Sequence, residues 1–326
     1  MRRRHVITLF GSAVAAWPLA VLAQPTIPVV GFLHSGSAAP NAHLASAFLR
    51  GLSETGFDVG RNIAVEYRWA EGRYDLLHEM ATDLASRGIA VIYAAGGSVS
   101  AIEAKKAAKT IPLVFVMGSD PVRVGLVASL NRPGSNATGV TLITTGLEAK
   151  RLELLRQLVP SAAVIAALIN RDNPNATDIT NDLRAAASSL GIEAHLLHAA
   201  SDAELGRVLA TLPQLQVNGV LVANDPFFLS RRDKIVAEIA RYSLLAIYHS
   251  REFPAAGGLA SYGSNLVEMY RKSGVYVGRI LKGDKPADLP VQQPTAFELV
   301  INSRTAKSLG LIVPPSIVAT ADEVIE

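Results

Sequence analysis

The sequence contains no cysteine, and this absence removes several classes of chemistry at once. Disulfide bonds, a thiol nucleophile, cysteine-based zinc sites and lipid attachment at a lipobox cysteine are all excluded. Tryptophan is scarce, with 2 residues in 326, and no long low-complexity segment occurs. Stability must therefore come mainly from aliphatic burial, and the length is sufficient for two domains with cores of their own.

A net charge is also missing once the first residues are set aside. The formal charge of +3 comes from Arg2, Arg3 and Arg4, because the chain without residues 1–23 has 28 basic and 28 acidic residues. A neutral chain lacks the basic surface that a phosphate backbone requires. The composition therefore argues against a nucleic-acid partner.

Motifs that would identify an enzyme are absent. There is no G-x-S-x-G elbow and no P-loop G-x-x-x-x-G-K-[ST]. His195 and His198 are three residues apart, but they fall in a predicted strand and so do not share a helical face as a zinc pair would. We therefore expect no catalytic residues, no metal and no cofactor.

Residues 1–23 have the features of an export signal. Arg2, Arg3 and Arg4 precede an apolar run over residues 6–23, which ends on small residues before Gln24. Arg3 and Arg4 fit a degenerate twin-arginine signal. The alternative is a membrane anchor, but the small residues at the end of the run favour cleavage. We expect a periplasmic protein.

One stretch, residues 111–141, organises the rest of the interpretation. Leu113–Met117 is entirely apolar, which predicts a strand buried on both faces. It ends at Gly-Ser-Asp-Pro, and Asp120 followed by proline predicts a helix N-cap, with the helix continuing to about residue 130. In parallel α/β sheets, ligands bind just beyond the carboxyl ends of the strands. Ser119 and Asp120 are therefore expected to form one wall of a binding cleft.

Strand and helix patterns alternate in two consecutive series of similar length. This pattern predicts an α/β fold with two doubly wound αβα lobes. We expect lobe 1 to comprise residues 27–143 plus 263–290, and lobe 2 to comprise residues 144–262 plus 291–326.

Two segments carry a family resemblance. They are M-G-S-D-P-V-x-x-G-L-V-x-S-L-x-R-P-G-x-N-x-T-G, from Met117, and V-Q-Q-P-T-A-F-E-L-V-I-N-S-R-T-A-K-S-L-G-L-I-V-P-P-S, from Val291. The chain resembles ABC-transporter substrate-binding proteins of the ABC_sub_bind type, related to the tryptophan- and tyrosine-binding TrpX group, over nearly its whole length. The resemblance implies a type I periplasmic binding protein whose tail makes a third crossing, giving a three-strand hinge. It further implies capture of a small solute for a membrane ABC permease. The likeness to the TrpX group suggests an amino acid as the solute, and an aromatic amino acid in the narrower form of the expectation. We expect a monomer.

The candidate ligand-binding residues follow predicted strands or lie at the predicted hinge, and all are polar or aromatic except Gly97, which offers a backbone N–H. Hydroxyls and backbone N–H groups suit a carboxylate, whereas Asp120 or Asp225 suits an ammonium and the aromatic rings could stack on an apolar ligand. Structural alternatives remain: Asp120 as a simple N-cap, Phe227 as lobe core and Tyr262 as hinge packing. The full set is Ser35, Gly97, Ser98, Ser119, Asp120, Asn170, Asn224, Asp225, Phe227, Tyr248 and Tyr262.

Two other functions fit the same pattern. One is a secreted hydrolase in which Asp120 and Asp225 form a carboxylate pair across the cleft. The other is a ligand-sensing module for a membrane kinase.

Overall fold

The computed structural model describes residues 27–142, 146–160 and 162–326. The predicted export signal, residues 1–23, lies outside the described residues. Within the described ranges, no helix has both the length and the apolar character needed to cross a bilayer.

Lobe 1 is built on five parallel strands in the order β2-β1-β3-β4-β5. Strands β3 and β4 are buried along their whole length because helices cover both faces of the sheet. The elements of this series are β1 (Val29–His34), α1 (Ala42–Ser53), β2 (Ala64–Trp69), α2 (Leu77–Ser86), β3 (Val91–Ala95), α3 (Ser98–Ala107), β4 (Leu113–Met117) and β5 (Ala137–Thr141).

Lobe 2 repeats this winding. Its first five strands have the order β7-β6-β8-β9-β10, which is the same second-first-third-fourth-fifth arrangement as in lobe 1. The elements are α4 (Leu147–Leu158), β6 (Val164–Ile169), α5 (Ala176–Leu190), β7 (Glu193–His198), α6 (Asp202–Thr211), β8 (Gly219–Val222), α7 (Pro226–Ser230), α8 (Arg232–Arg241), β9 (Leu245–Tyr248), α9 (Glu252–Ala255) and β10 (Ala260–Gly263).

The last segment returns to lobe 1 and then to lobe 2. Helix α10 (Leu266–Leu281) packs on α1 and on strands β3, β4 and β5, so it completes one face of the first sheet. The strand that follows β10 in the second sheet is antiparallel to it. The final elements are β11 (Glu298–Asn302), α11 (Ser303–Ser308), α12 (Pro315–Thr320) and β12 (Glu323–Ile325).

The chain therefore passes between the lobes three times, and the crossing segments lie side by side. Ser264 Oγ donates a hydrogen bond to the Leu142 carbonyl at 3.0 Å. The Thr141 N–H donates to the Gln292 carbonyl at 2.9 Å. Two doubly wound lobes joined by three adjacent segments confirm the predicted fold class.

Helices α1 and α10 approach each other closely through glycine. A Cβ on Gly51 would lie 1.9 Å from the Arg271 carbonyl oxygen, and one on Gly274 would lie 2.0 Å from the Phe48 carbonyl oxygen. The two backbones are in contact at these positions, so no larger residue fits.

The helix predicted after Asp120 is wrong. Residues 121–125 form turns instead, although Asp120 does cap them by accepting a hydrogen bond from the Val122 N–H at 2.8 Å. Gly125 has φ +73°, which ends any helical run, and the Ala128 N–H bonds to Pro133 rather than backward along a helix. Phe227, a candidate ligand-binding residue, lies in α7.

Candidate functional site: the cleft between the lobes

The carboxyl ends of strands from both sheets open onto one cavity. In lobe 1 it is lined by His34 at the end of β1 and by Gly96 after β3; in lobe 2 it is lined by Asn173, Asn224 and His249, beyond β6, β8 and β9. The cavity is narrow, with a volume of about 50 Å³. This is the edge at which α/β sheets bind ligands.

Four of the predicted residues line this cavity: Gly97, Ser98, Asn224 and Asp225. Three others lie immediately behind them. Ser35 is buried and donates to the Gly96 carbonyl, Ser119 is buried against Ser98, and Asn170 bonds to Asp225.

The remaining predicted residues are not part of the lining. Asp120 is exposed. Tyr248 is buried in the core of lobe 2 and stacks on Phe253, with centroids 4.5 Å apart. Tyr262 contacts Phe297 in the hinge region, with centroids 5.9 Å apart.

Phe227 is also outside the lining. Its ring is 2% exposed and lies under the guanidinium of Arg231, 4.3 Å from the ring centroid. The helix around it turns the neighbouring Phe228 into the same core, so neither ring faces the cavity.

The Asp225 carboxylate is the most unusual group in the cleft. Asp225 caps α7, with Oδ1 accepting from the Phe227 N–H at 2.8 Å, and proline follows at the first helical position. Oδ1 also accepts from Tyr74 Oη at 2.9 Å and from Asn170 Nδ2 at 3.0 Å, and Oδ2 accepts from Asn173 Nδ2 at 2.8 Å.

All four partners of Asp225 are donors, because the orientation of both amides is fixed locally. Asn170 Oδ1 accepts from the Asp172 N–H, and Asn173 Oδ1 accepts from the Asn175 N–H, so each Nδ2 must face Asp225. Burial raises the pKa of Asp225 above its ordinary value, and the hydrogen bonds from Asn170, Asn173 and Tyr74 offset only part of this rise. A set of donors with no acceptor favours the ionised carboxylate.

No cation among the described residues forms an ion pair with Asp225, although the residue is only 1% exposed. Arg231, on the next turn, pairs instead with Asp202 at 2.9 Å. The cleft therefore holds a buried negative charge that is solvated by hydrogen bonds but has no counter-ion.

A second polar chain joins the lobes on the other side of the cleft. The Ser119 N–H donates to Ser98 Oγ at 2.8 Å, the two hydroxyls are 2.7 Å apart, and Ser119 Oγ donates to Asn175 Oδ1 at 2.5 Å. Because Asn175 Oδ1 accepts this bond, its Nδ2 group remains a donor at the cavity wall.

Two aromatic side chains form the floor of the lobe 1 half. His34 Nδ1 accepts from the Gly36 N–H at 2.8 Å, and Nε2 is 3.0 Å from Tyr270 Oη. Tyr270 Oη also accepts from the Gly96 N–H at 3.2 Å. Burial lowers the pKa of His34 to about 3, so the imidazole is neutral at neutral pH.

Further contacts hold the rims of the lobes together. Arg123 pairs with Asp178 at 2.5 Å, and His43 Nε2 is 3.0 Å from Glu252 Oε1. A Cβ on Gly97 would lie 2.7 Å from Pro226 Cγ, so glycine allows the two lobes to touch there. The structure is that of a cleft whose walls are already in contact.

A buried ion pair lies beneath the cleft. Arg151 and Glu148, each 1% exposed, are 2.7 Å apart on the first turns of α4. Arg151 Nε donates to the Tyr262 carbonyl, and Glu148 Oε1 accepts from the Asn224 N–H at 3.3 Å. The pair connects the hinge with the loop that carries Asp225.

Several cleft residues were not found from the sequence. Asn173 and Asn175 follow a buried strand, which is the same signal that identified Asn224, and that signal could have found them. Tyr74 and Tyr270 carry no such signal. Tyr74 lies in the turn before α2 and Tyr270 lies on a face of α10, and an aromatic residue at such positions usually belongs to the core.

The geometry does not favour metal or paired-carboxylate chemistry. The described residues contain no group of three or more histidine or acidic side chains that could hold a metal ion. Asp120 is exposed while Asp225 is buried, and only the second lines the cavity.

Two lobes of this winding with a cleft at their strand ends define a type I periplasmic binding protein, and the comparisons agree. Residues 37–325 match the family model described as ABC transporter substrate binding protein. The chain belongs to this family of ABC-transporter substrate-binding proteins, which are generally extracellular or periplasmic.

A similar curated protein is the tyrosine-binding protein of Clostridioides difficile, 27% identical over 265 residues, covering 81% of this chain and 75% of that protein. A Streptococcus pneumonia ABC domain in complex with L-Trp superposes with a TM-score of 0.82 at 24% identity, covering 91% and 99% of the two chains. A ligand-free, open substrate binding protein with adhesive properties from Clostridium difficile gives 0.63 at 24% identity, covering 92% and 99%.

Proposed function

We propose that the chain captures a free amino acid, with an aromatic side chain favoured, in the cleft between the lobes and delivers it to an ABC permease. The observation that supports this most directly is the buried Asp225 carboxylate, which has four hydrogen-bond donors and no ion-pair partner among the described residues. An ammonium group on the solute would supply the missing positive charge.

The solute preference rests on the relatives as well as on this charge. A tyrosine-binding protein and a complex with L-Trp are among the similar proteins. The cleft also offers apolar side chains, such as Val116, Leu229 and Leu266, on which an aromatic ring could pack.

The proposed route to the cleft is export. Residues 1–23 carry three arginines and an apolar run. We propose that this segment directs the chain to the periplasm and, more specifically, that export uses the twin-arginine pathway. We propose that the lobe boundaries lie at residues 143 and 263 and near residue 291. We also propose that the protein is a monomer and that its closed form presents the surface recognised by the permease.

The first prediction concerns ligand and charge together. Calorimetric titration of the purified protein with the twenty amino acids should give heat with L-tyrosine or L-tryptophan. Asp225→Asn should weaken this binding by about tenfold or more, because a hydrogen bond to a charged group contributes roughly 1.5–3 kcal/mol.

The matched control is Asp172→Asn, which removes an exposed carboxylate from the neighbouring loop and should leave affinity unchanged. If no amino acid gives heat or a thermal shift, the amino-acid proposal fails while membership of the binding-protein family stands. If Asp225→Asn binds as tightly as the unaltered protein, the ammonium does not lie at Asp225.

A further inference from the structure

Opposite Asp225, the cleft contains a hydroxyl group whose hydrogen atom has no acceptor among the described residues. Tyr270 is 3% exposed and lines the cavity, and within the described part of the chain it makes hydrogen bonds only with His34 and the Gly96 N–H. Whether its proton is available depends on which partner donates in each bond.

The backbone determines the direction of the bond to His34. The Gly36 N–H can only donate, so His34 Nδ1 must be the unprotonated nitrogen. In the neutral ring the proton then lies on Nε2, which donates to Tyr270 Oη at 3.0 Å.

The second bond is also one that Tyr270 accepts, because a backbone N–H cannot accept. With the Gly96 N–H at 3.2 Å and His34 Nε2 both donating, the two lone pairs of Oη are used. Burial raises the pKa of Tyr270, so the hydroxyl keeps its proton at neutral pH.

The same corner of the cavity holds the start of α3. Gly97 occupies the N-cap position and provides no side-chain cap, so the first N–H groups of this helix are not satisfied by a capping side chain. The hydroxyl of Tyr270 and the positive end of the α3 dipole therefore face the same space.

We propose that Tyr270 Oη donates the hydrogen bond that selects a carboxylate on the solute, and that His34 is the positioning residue that keeps this hydrogen atom free. The inference rests on the proposed function, since it assigns the second end of an amino acid whose ammonium lies at Asp225. The cleft then has a donor end on lobe 1 and an acceptor end on lobe 2.

The first test separates the carboxylate from the rest of the ligand. Tyr270→Phe should weaken binding of L-tryptophan about tenfold or more, yet leave the affinity for tryptamine, which lacks the carboxylate, within about twofold. L-tyrosine and tyramine provide a second pair with the same expectation.

The matched control is Tyr276→Phe on the same helix. Its hydroxyl is also hydrogen-bonded, donating to the Pro290 carbonyl at 2.7 Å, but it does not line the cavity. Both ligands should bind this variant as they bind the unaltered protein. An equal loss of tryptophan and tryptamine affinity in Tyr270→Phe, or no loss, would overturn the assignment.

The second test needs no ligand and therefore stands even if no amino acid binds. In a ¹⁵N NMR spectrum at pH 7, His34, assigned by comparison with His34→Gln, should show a proton on Nε2 and none on Nδ1. A proton on Nδ1 would make Tyr270 the donor to His34, leaving no free hydroxyl hydrogen and refuting the proposal. Failure of the proposed function alone would appear as absent heat with a correct tautomer.

Discussion

His34 and His249 are the two buried histidines that line the cleft, and their burial has a cost that depends on pH. Burial lowers the pKa of each to about 3, with Arg151 adding to the effect at His249. Both are therefore neutral in the folded protein under conditions where an unfolded histidine, with a pKa near 6.5, takes up a proton.

The sign follows from this difference. The free energy of unfolding is highest above about pH 6.5 and decreases between about pH 6.5 and 3, because only the unfolded chain binds the two protons there. Between pH 7.5 and 5.5 the free energy of unfolding should fall by about 3 kcal/mol, roughly 1.4 for each histidine.

Urea unfolding at the two pH values measures this change. His249→Asn should remove about half of the pH dependence, whatever it does to stability at pH 7.5. A free energy of unfolding that is the same at both pH values would show that the folded protein takes up these protons as readily as the unfolded chain.

At this scale, the sequence could identify residue types but not which way they face. Asp120 and Asp225 are both aspartates before proline, and both cap the turn that follows. One is exposed and the other is the buried acceptor of the cleft, because the second is surrounded by Tyr74 and two asparagines from distant parts of the chain. Local pattern carries no information about such neighbours.

At the scale of elements, the close packing of α1 on α10 is the feature most sensitive to change. Gly274→Ala would place a Cβ 2.0 Å from the Phe48 carbonyl oxygen. Because backbone must move, we expect a loss of about 1–3 kcal/mol or more in the free energy of unfolding, measured by urea denaturation.

The control for this substitution is Gly206→Ala in α6. This glycine is also helical, but a Cβ there would meet nothing nearer than Lys234 Nζ at 3.9 Å. Alanine should stabilise the protein by up to about 1 kcal/mol, as helix propensity requires. If Gly274→Ala is equally harmless, the two helices are further apart than the structure shows.

The strands were predicted more reliably than the short helices, for a physical reason. Buried parallel strands such as β4 are continuous apolar runs, whatever their partners. Helices α9 and α12 have 4 and 6 residues, too short for a periodic pattern, and their positions depend on tertiary contacts. The turns at residues 121–125 show the opposite error, because a helix was predicted from its N-cap and the structure has the cap without the helix.

At the scale of the whole molecule, the two lobes are in contact across the cleft. Ser119 bonds to Asn175, Tyr74 to Asp225 and Arg123 to Asp178, each pair joining one lobe to the other. We therefore expect opening to break these contacts together.

Gly97 allows a direct test of this contact. Gly97→Ala would place a Cβ 2.7 Å from Pro226 Cγ on the other lobe, so the lobes should remain further apart. Small-angle X-ray scattering of the ligand-free variant should show a larger radius of gyration than that of the unaltered protein, and solute affinity should fall with it.

Gly56→Ala is the matched control. Its φ of +90° is close to the +96° of Gly97, so alanine causes similar backbone strain, but no atom lies within 4 Å. This variant should lose some stability without any change in the radius of gyration. An unchanged radius in Gly97→Ala would mean that the contact does not limit lobe approach.

The return of α10 has a consequence for synthesis of the chain. Lobe 1 has all five of its strands by residue 141, yet one side of its sheet is completed only by residues 266–281. A nascent chain must therefore carry an apolar face uncovered until the whole βα series of lobe 2 has left the ribosome. Completion of the lobe 1 core therefore has to wait for residues that follow the lobe 2 series in the chain.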